Sequence, residues 1–240
     1  MGRKLLIVCF GLLVLYPAAL AVGAEKHSAI EPAHRHNWWT VRHLAVNERV
    51  RQGDVDMIFI GDSITHGWES NGRKVWQKYY ENRKAVNMGF SGDRTQHVLW
   101  RLDNGNIEGI SPKVAVIMIG TNNSNGNDNT AEEIADGMIA ICKKLRAKLP
   151  ETKILLLAVF PRAEKPCPQR EKIAKANKIA SKSADGKMIH YLDIGPKFLQ
   201  PDKSISKEIM PDYLHLTPKG YQIWAEAIEP TIVRLMGDKK

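Results

Sequence analysis

Three side chains far apart in the sequence, Ser63, Asp212 and His215, are of the types needed to attack a carbonyl carbon and move a proton. Ser63 stands in Gly61-Asp62-Ser63-Ile64-Thr65, directly after an apolar run. A serine preceded by glycine at a strand-to-helix turn can present its hydroxyl at a sheet edge, with its own amide pointing the same way. Asp212 and His215 stand in Asp212-Tyr213-Leu214-His215-Leu216-Thr217-Pro218, where Thr217 reads as a helix cap and Pro218 as the first helical residue. At this spacing the carboxylate can orient the imidazole and stabilise it when protonated, while the other ring nitrogen takes the serine's proton. Each piece alone is also ordinary turn chemistry, and both short patterns recur by chance. Their places in the chain carry more weight than their spacings.

Two further turns supply hydrogen-bond donors. One is Asn87-Met88-Gly89-Phe90-Ser91-Gly92-Asp93-Arg94, followed at once by a helical pattern. Asp93 reads as the N-cap of that helix, which leaves the amide of Gly92 near the positive end of the helix dipole, where an anion can rest. The other is Gly120-Thr121-Asn122-Asn123, which leaves small or amide-bearing residues at the rim. Nearby polar and aromatic residues have plainer expectations. Asp62 should make structural hydrogen bonds at its turn, and His97 and Trp100 should pack. Trp38 and Trp39 are expected to pack against the body of the protein in preference to stacking on a sugar.

These residues need a scaffold that brings strand ends together, and the hydrophobic rhythm provides one. Short apolar or β-branched runs at 55–60, 85–88, 114–119, 153–159 and 188–192 read as buried strands. Between them lie helical spacings. Ile134, Met138, Ile141, Leu145 and Leu149 make one apolar stripe from about Ala131; Val98, Leu99 and Leu102 mark a second; Ile173, Ala176 and Ala180 mark a third. A terminal helix through Trp224, Ile228, Ile232 and Leu235 should kink or restart at Pro230. A helix around 39–50 should pack against the outside of the sheet. Five strands separated by helices predict an α/β fold, a three-layer α/β/α sandwich around a five-stranded parallel sheet, in which ligands bind beyond the carboxyl ends of the strands.

The composition is the ordinary balance of a soluble globular protein: 240 residues, 43% hydrophobic and 25% charged, excluding disordered, collagenous and disulfide-dense classes. Arg3 and Lys4 precede an apolar run from Leu5 to Leu20, with small residues at Ala19-Leu20-Ala21 and Val22-Gly23-Ala24. Residues 1–24 therefore read as a secretory signal peptide in preference to a retained membrane anchor, leaving a single domain over 25–240 and predicting a secreted or periplasmic protein. Removing residues 1–24 leaves 33 basic against 26 acidic groups, a mild +7. Lys172, Lys175, Lys178 and Lys182 recur at helical spacing and read as a solvated helix face, with no nucleic-acid motif beside them. Cys142 and Cys167 lack a histidine at ligand spacing, so no metal is expected there, and their pairing is open. His27, His34 and His36 fall in an N-terminal tail expected to be mobile; a weak surface metal site there is conceivable but not demanded.

In order and position, Gly61-Asp62-Ser63, Gly92 after Asn87-Met88-Gly89, Gly120-Thr121-Asn122 and Asp212-x-x-His215 resemble the four blocks of the SGNH, or GDSL, hydrolases. More narrowly, the segments 91–102, 120–123 and 161–166 resemble the catalytic subunits of intracellular platelet-activating-factor acetylhydrolases. The resemblance runs from about Trp38 to the C-terminus and implies a flavodoxin-like SGNH fold. It further implies Ser63 as nucleophile, His215 as general base and acid, and Asp212 as the orienting carboxylate. The amides of Ser63 and Gly92 and the side chain of Asn122 would form the oxyanion hole, with no cofactor. The expected activity is hydrolysis of small-acyl esters, chiefly acetyl, on a small molecule or a glycan. The alternatives are a lysophospholipase or thioesterase handling long chains, and a silent glycan-binding module. Monomer and homodimer are equally open.

Overall fold

The computed structural model describes residue 1 and residues 26–238, so the expected signal peptide lies outside the described residues apart from Met1. The chain builds one parallel sheet from β1 (Met57–Gly61), β2 (Ala85–Gly89), β3 (Val114–Met118), β4 (Lys153–Leu157) and β5 (Ile189–Leu192), in the spatial order β2-β1-β3-β4-β5. These are the five strands expected from the apolar runs. The order reverses between β1 and β3, so a crevice opens beyond the carboxyl ends of those two strands.

The helices are α1 (Trp38–Arg51), α2 (Ser63–His66), α3 (Arg73–Tyr79), α4 (Thr95–Asp103), α5 (Ala131–Lys148), α6 (Pro168–Ala180) and α7 (Pro218–Met236). Side chains alternate across each strand, and the two sets enter different cores. Ile58, Ile60, Ala115, Ile117, Ile154 and Leu156 meet residues of α1, α4, α5 and α6. Met57, Phe59, Val116, Met118, Leu155 and Leu157 meet Trp68, Val75, Tyr80 and the apolar face of α7. Full burial of each large aliphatic or aromatic chain contributes about 1.5–3 kcal/mol, so both faces of the sheet hold their helices firmly.

Two expectations need correction. Pro230 does not restart the helix: α7 is one element from Pro218 to Met236 with Pro230 inside it. Pro230 and Glu226, whose carbonyl loses its partner, are both exposed, while Ile228, Ile232 and Leu235 keep the helix clamped to the core. The tail ahead of α1 is packed. The Thr95 hydroxyl donates to the Ala29 carbonyl at 2.7 Å and the Ala33 amide to the Gln96 carbonyl at 3.1 Å, laying this segment across α4. His34 packs against Trp39 and Trp100.

Candidate active site

β1 delivers Ser63 to the crevice through a turn that only glycine permits at 61. A side chain there would collide with Thr65 Oγ1 and the Met118 carbonyl. Asp62 caps α2, accepting the Ile64 amide at 3.0 Å. This aspartate is fully buried and its Oδ2 has no partner among the described residues. Burial pushes its carboxyl up to about 7, against the pull of the Ile64 amide and with help from the charge of Asp93. Behind the turn, the Tyr221 hydroxyl of α7 donates to the Ile64 carbonyl at 2.7 Å.

The imidazole arrives from the other end of the chain. Ser63 Oγ lies 2.8 Å from His215 Nε2, and His215 Nδ1 lies 2.6 Å from Asp212 Oδ2. Asp212 Oδ1 accepts the amides of Leu214 at 3.1 Å and His215 at 2.8 Å, so the carboxylate fixes both the ring and its backbone. Burial opposes its ionisation, but the bonds from the His215 ring and amide hold the carboxyl below its usual range. Between them Tyr213 adopts a left-handed backbone, φ 59°, rare for a residue of its size and costing about 1–3 kcal/mol. The Ala163 amide clamps it by donating to the Tyr213 carbonyl at 2.9 Å. Thr217 caps α7 as expected, accepting the Gly220 amide, and Pro218 begins the helix.

The donor side is organised around Asp93, and here the structure departs from expectation. Asp93 does not cap α4; Arg94 occupies that position, with its amide donating to His97 Nδ1 at 3.0 Å. Burial and the cations of Arg35, Arg94 and Arg101 push the His97 ring down to about 3, which keeps that nitrogen an acceptor. The Asp93 carboxylate is drawn inward instead. It accepts from Trp39 Nε1 at 2.6 Å, Arg35 Nη1 at 3.2 Å and Arg101 Nε at 3.0 Å, and is fully buried. This pins the turn that carries Gly92, a residue at φ 76° where glycine is at ease. The Asn122 amide nitrogen donates to the Asp93 carbonyl at 2.9 Å and keeps one hydrogen for a ligand. Asn123 is buried and ties the turn to α4 by accepting the Thr95 amide at 3.0 Å. No backbone carbonyl takes the Ser63 or Gly92 amides among the described residues.

Ser63, His215 and Asp212 are thus joined in one chain of contacts. Gly92 and Asn122 are linked to each other through Asp93. Trp39 is core and Trp38 is half exposed. Lys175 pairs with Glu132 and Lys172 donates to the Gly126 carbonyl, as a solvated face does. Cys142 and Cys167 form no disulfide among the described residues, and burial pushes the Cys142 thiol up to about 12. Sequence reasoning missed His66. It follows Ser63 by three residues on α2, a spacing that puts two side chains on one helix face, and its Nδ1 lies 2.9 Å from Ser91 Oγ. It also missed Arg101, whose partnership with Asp93 spans eight residues and leaves no local pattern.

Residues 59–223 match the model of the GDSL-like lipase/acylhydrolase family. Over 221 residues, covering 92% of this chain and 92% of the relative, the protein is 37% identical to platelet-activating factor acetylhydrolase IB subunit alpha2 of Rattus norvegicus, and 36% identical over the same span to the Homo sapiens protein. A GDSL-like lipase of Bacteroides thetaiotaomicron superposes with a TM-score of 0.64 at 22% identity, covering 81% of this chain and 97% of the other. An acetylxylan esterase of Geobacillus stearothermophilus does so at 0.58 and 19%, covering 78% and 96%. With the fold of these structures and a sequence shared along most of its length with the acetylhydrolase subunits, the chain belongs to the GDSL-like lipase/acylhydrolase family.

Proposed function

We propose that the protein is a serine esterase that removes small acyl groups, chiefly acetyl, through Ser63, His215 and Asp212. The observation that carries this reading is the unbroken relay from Ser63 Oγ to His215 Nε2 at 2.8 Å and from His215 Nδ1 to Asp212 at 2.6 Å. A serine hydroxyl is a weak nucleophile until a base takes its proton in the transition state. As Ser63 Oγ bonds to the ester carbon, its proton passes to His215 Nε2, and Asp212 stabilises the imidazolium. The negative charge that forms on the carbonyl oxygen is met by the amides of Ser63 and Gly92 and the remaining N–H of Asn122. Loss of one such donor typically costs about 2.7–4 kcal/mol. The imidazolium then protonates the departing alcohol. A water deprotonated by His215 attacks the acyl-serine, and Ser63 recovers its proton.

The acetyl preference draws on the names of relatives, which include acetylhydrolase subunits and, among the solved structures, an acetylxylan esterase. Turnover of p-nitrophenyl esters of increasing chain length, with wild type and Ser63→Ala, tests it. The reading expects the highest kcat/KM on acetate, lost in the variant. A maximum at long chains would move the assignment to a lysophospholipase or thioesterase, and inactivity on every ester would favour a silent binding module. We also propose export, directed by residues 1–24. An N-terminal sequence of the cell-free protein beginning near residue 25 supports it; one beginning at residue 1 or 2 speaks against it.

A further inference from the structure

Beside Ser63 and His215 lies a cleft of about 380 Å³ whose outer wall the mechanism does not use. This is within the size range of small-ligand sites, and beside Gly67, Leu216 and Tyr221 its lining away from the relay carries the polar side chains of His66, Glu69, Ser70, Asn71 and Ser91. A half-buried histidine with a hydroxyl on one nitrogen and a carboxylate near the other needs a reason.

Burial, aided by the charge of Arg42, lowers the proton affinity of His66, so at neutral pH its ring offers one donor and one acceptor. When the Ser91 hydroxyl donates to Nδ1 across 2.9 Å, Nε2 carries the hydrogen. Nε2 is 3.7 Å from Glu69 Oε2, too far for a hydrogen bond. Glu69 cannot swing closer at no cost, because Arg42 holds both of its oxygens at 2.6 and 2.9 Å while its own Nε donates to the Gly89 carbonyl at 2.8 Å. The result is a fixed donor and a fixed acceptor side by side, each with unused capacity. A hydroxyl group seated beside both can accept from Nε2–H and donate to the carboxylate. Trp38 lies outside the cleft lining but stands beside His66. Its ring runs nearly parallel to that of His66, 18° apart with centroids at 6.2 Å, and it is 46% exposed. An exposed indole next to a polar wall suits a ligand that alternates C–H faces with hydroxyls.

Resting on the esterase reading above, we propose that this wall is the subsite for the alcohol half of the substrate, and that the alcohol is a sugar: His66 and Glu69 grip a ring hydroxyl near the ester while Trp38 flanks the ring. His66 and Trp38 are then specificity-determining residues, the second supplied by α1, outside the span 59–223 that matches the family model. A lipid alcohol fits the wall poorly, since apolar chains would cover an imidazole N–H and a carboxylate without replacing their hydration.

The test compares kcat/KM on an acetylated xylooligosaccharide, on p-nitrophenyl acetate and on an acetylated ether phospholipid. His66→Leu is expected to lower the ratio of sugar ester to p-nitrophenyl acetate about tenfold, through KM, the effect of losing about 1.4 kcal/mol of binding. Trp38→Ala, which touches neither the relay nor the oxyanion donors, should lower it about threefold to tenfold, and His66→Gln should restore part of the loss. Leu44→Ser, on the exposed face of α1, should leave the ratio as in wild type. An unchanged ratio in both His66→Leu and Trp38→Ala, or a wild-type preference for the phospholipid, overturns the sugar subsite while loss of all turnover in Ser63→Ala upholds the esterase reading. Survival of p-nitrophenyl acetate turnover in Ser63→Ala overturns both.

Discussion

The half of the rim that carries Gly92 and Asn122 hangs from buried charge, whereas the half that carries Asp212 and His215 is held by short hydrogen bonds near the surface. Asp93 and Arg101 are both fully buried, and Asp93, paired with Arg101 of α4 and bonded by Trp39 of α1, ties both helices to the Gly92 turn. The side chains of Asp212 and His215 are 54% and 43% exposed, and a turn of four residues builds their contact. On the proposed mechanism the donors must already be in place when charge develops, which accords with their anchoring in the interior. A base that gains and loses a proton each cycle benefits from access to water. Substitutions should therefore separate chemistry from folding on the base side and entangle them on the donor side.

The largest effect should come from His215→Ala. Loss of a base in such a relay lowers kcat by on the order of 10⁴–10⁶, while its exposure predicts a melting temperature within a few degrees of wild type. Asp212→Asn should lose on the order of 10⁴. Steady-state kinetics beside thermal denaturation by circular dichroism checks both, and a collapse of the melt in step with activity would erase the contrast. Asn122→Ala should lower kcat by on the order of 10²–10³ with little change in KM, since its free N–H meets the oxygen only once charge has formed.

Asp93→Ala leaves Arg101 buried without its partner and should cost about 3–5 kcal/mol in urea denaturation. The doubly apolar Asp93→Leu/Arg101→Met should recover much of that stability. If the single variant is as stable as wild type, the buried pair does not anchor the donor side.

The smallest effect concerns Asp62. Its folded carboxyl titrates at about 7, above the ordinary 3.8, so the folded state holds a proton that the unfolded chain has released. Its contribution is fully present below about pH 4 and is lost as pH rises towards 7. Asp62→Asn, which keeps the cap and resembles the neutral acid, should melt at a temperature that falls less than wild type's from pH 4 to pH 8. Parallel curves for the two proteins would show that Asp62 is ionised throughout.

Much of this was legible because the information is local or periodic. Strands read as apolar runs, and the stripe of Ile134, Met138, Ile141 and Leu145 is buried as its spacing requires. Thr217 and Pro218 announce their helix by type alone. Ser63 and His215 could be matched across 152 positions only through the order of the four blocks, since no local pattern couples them. What stayed hidden depends on which way a side chain turns. Asp93 sits where a cap belongs, yet three donors from α1, α4 and the N-terminal strap outweigh the single amide that capping would satisfy. Pro230 obeys its local chemistry by losing a hydrogen bond, but the packing of α7 on the sheet decides the outcome.

The most direct measurement of the central claim is covalent: incubation with a p-nitrophenyl organophosphonate, followed by peptide mass spectrometry of wild type and His215→Ala. The account predicts one adduct, on Ser63, formed rapidly in wild type and barely at all in the variant. A phosphonylated residue elsewhere, or equal labelling of Ser63 in both proteins, would contradict the assignment of Ser63 as a nucleophile driven by His215.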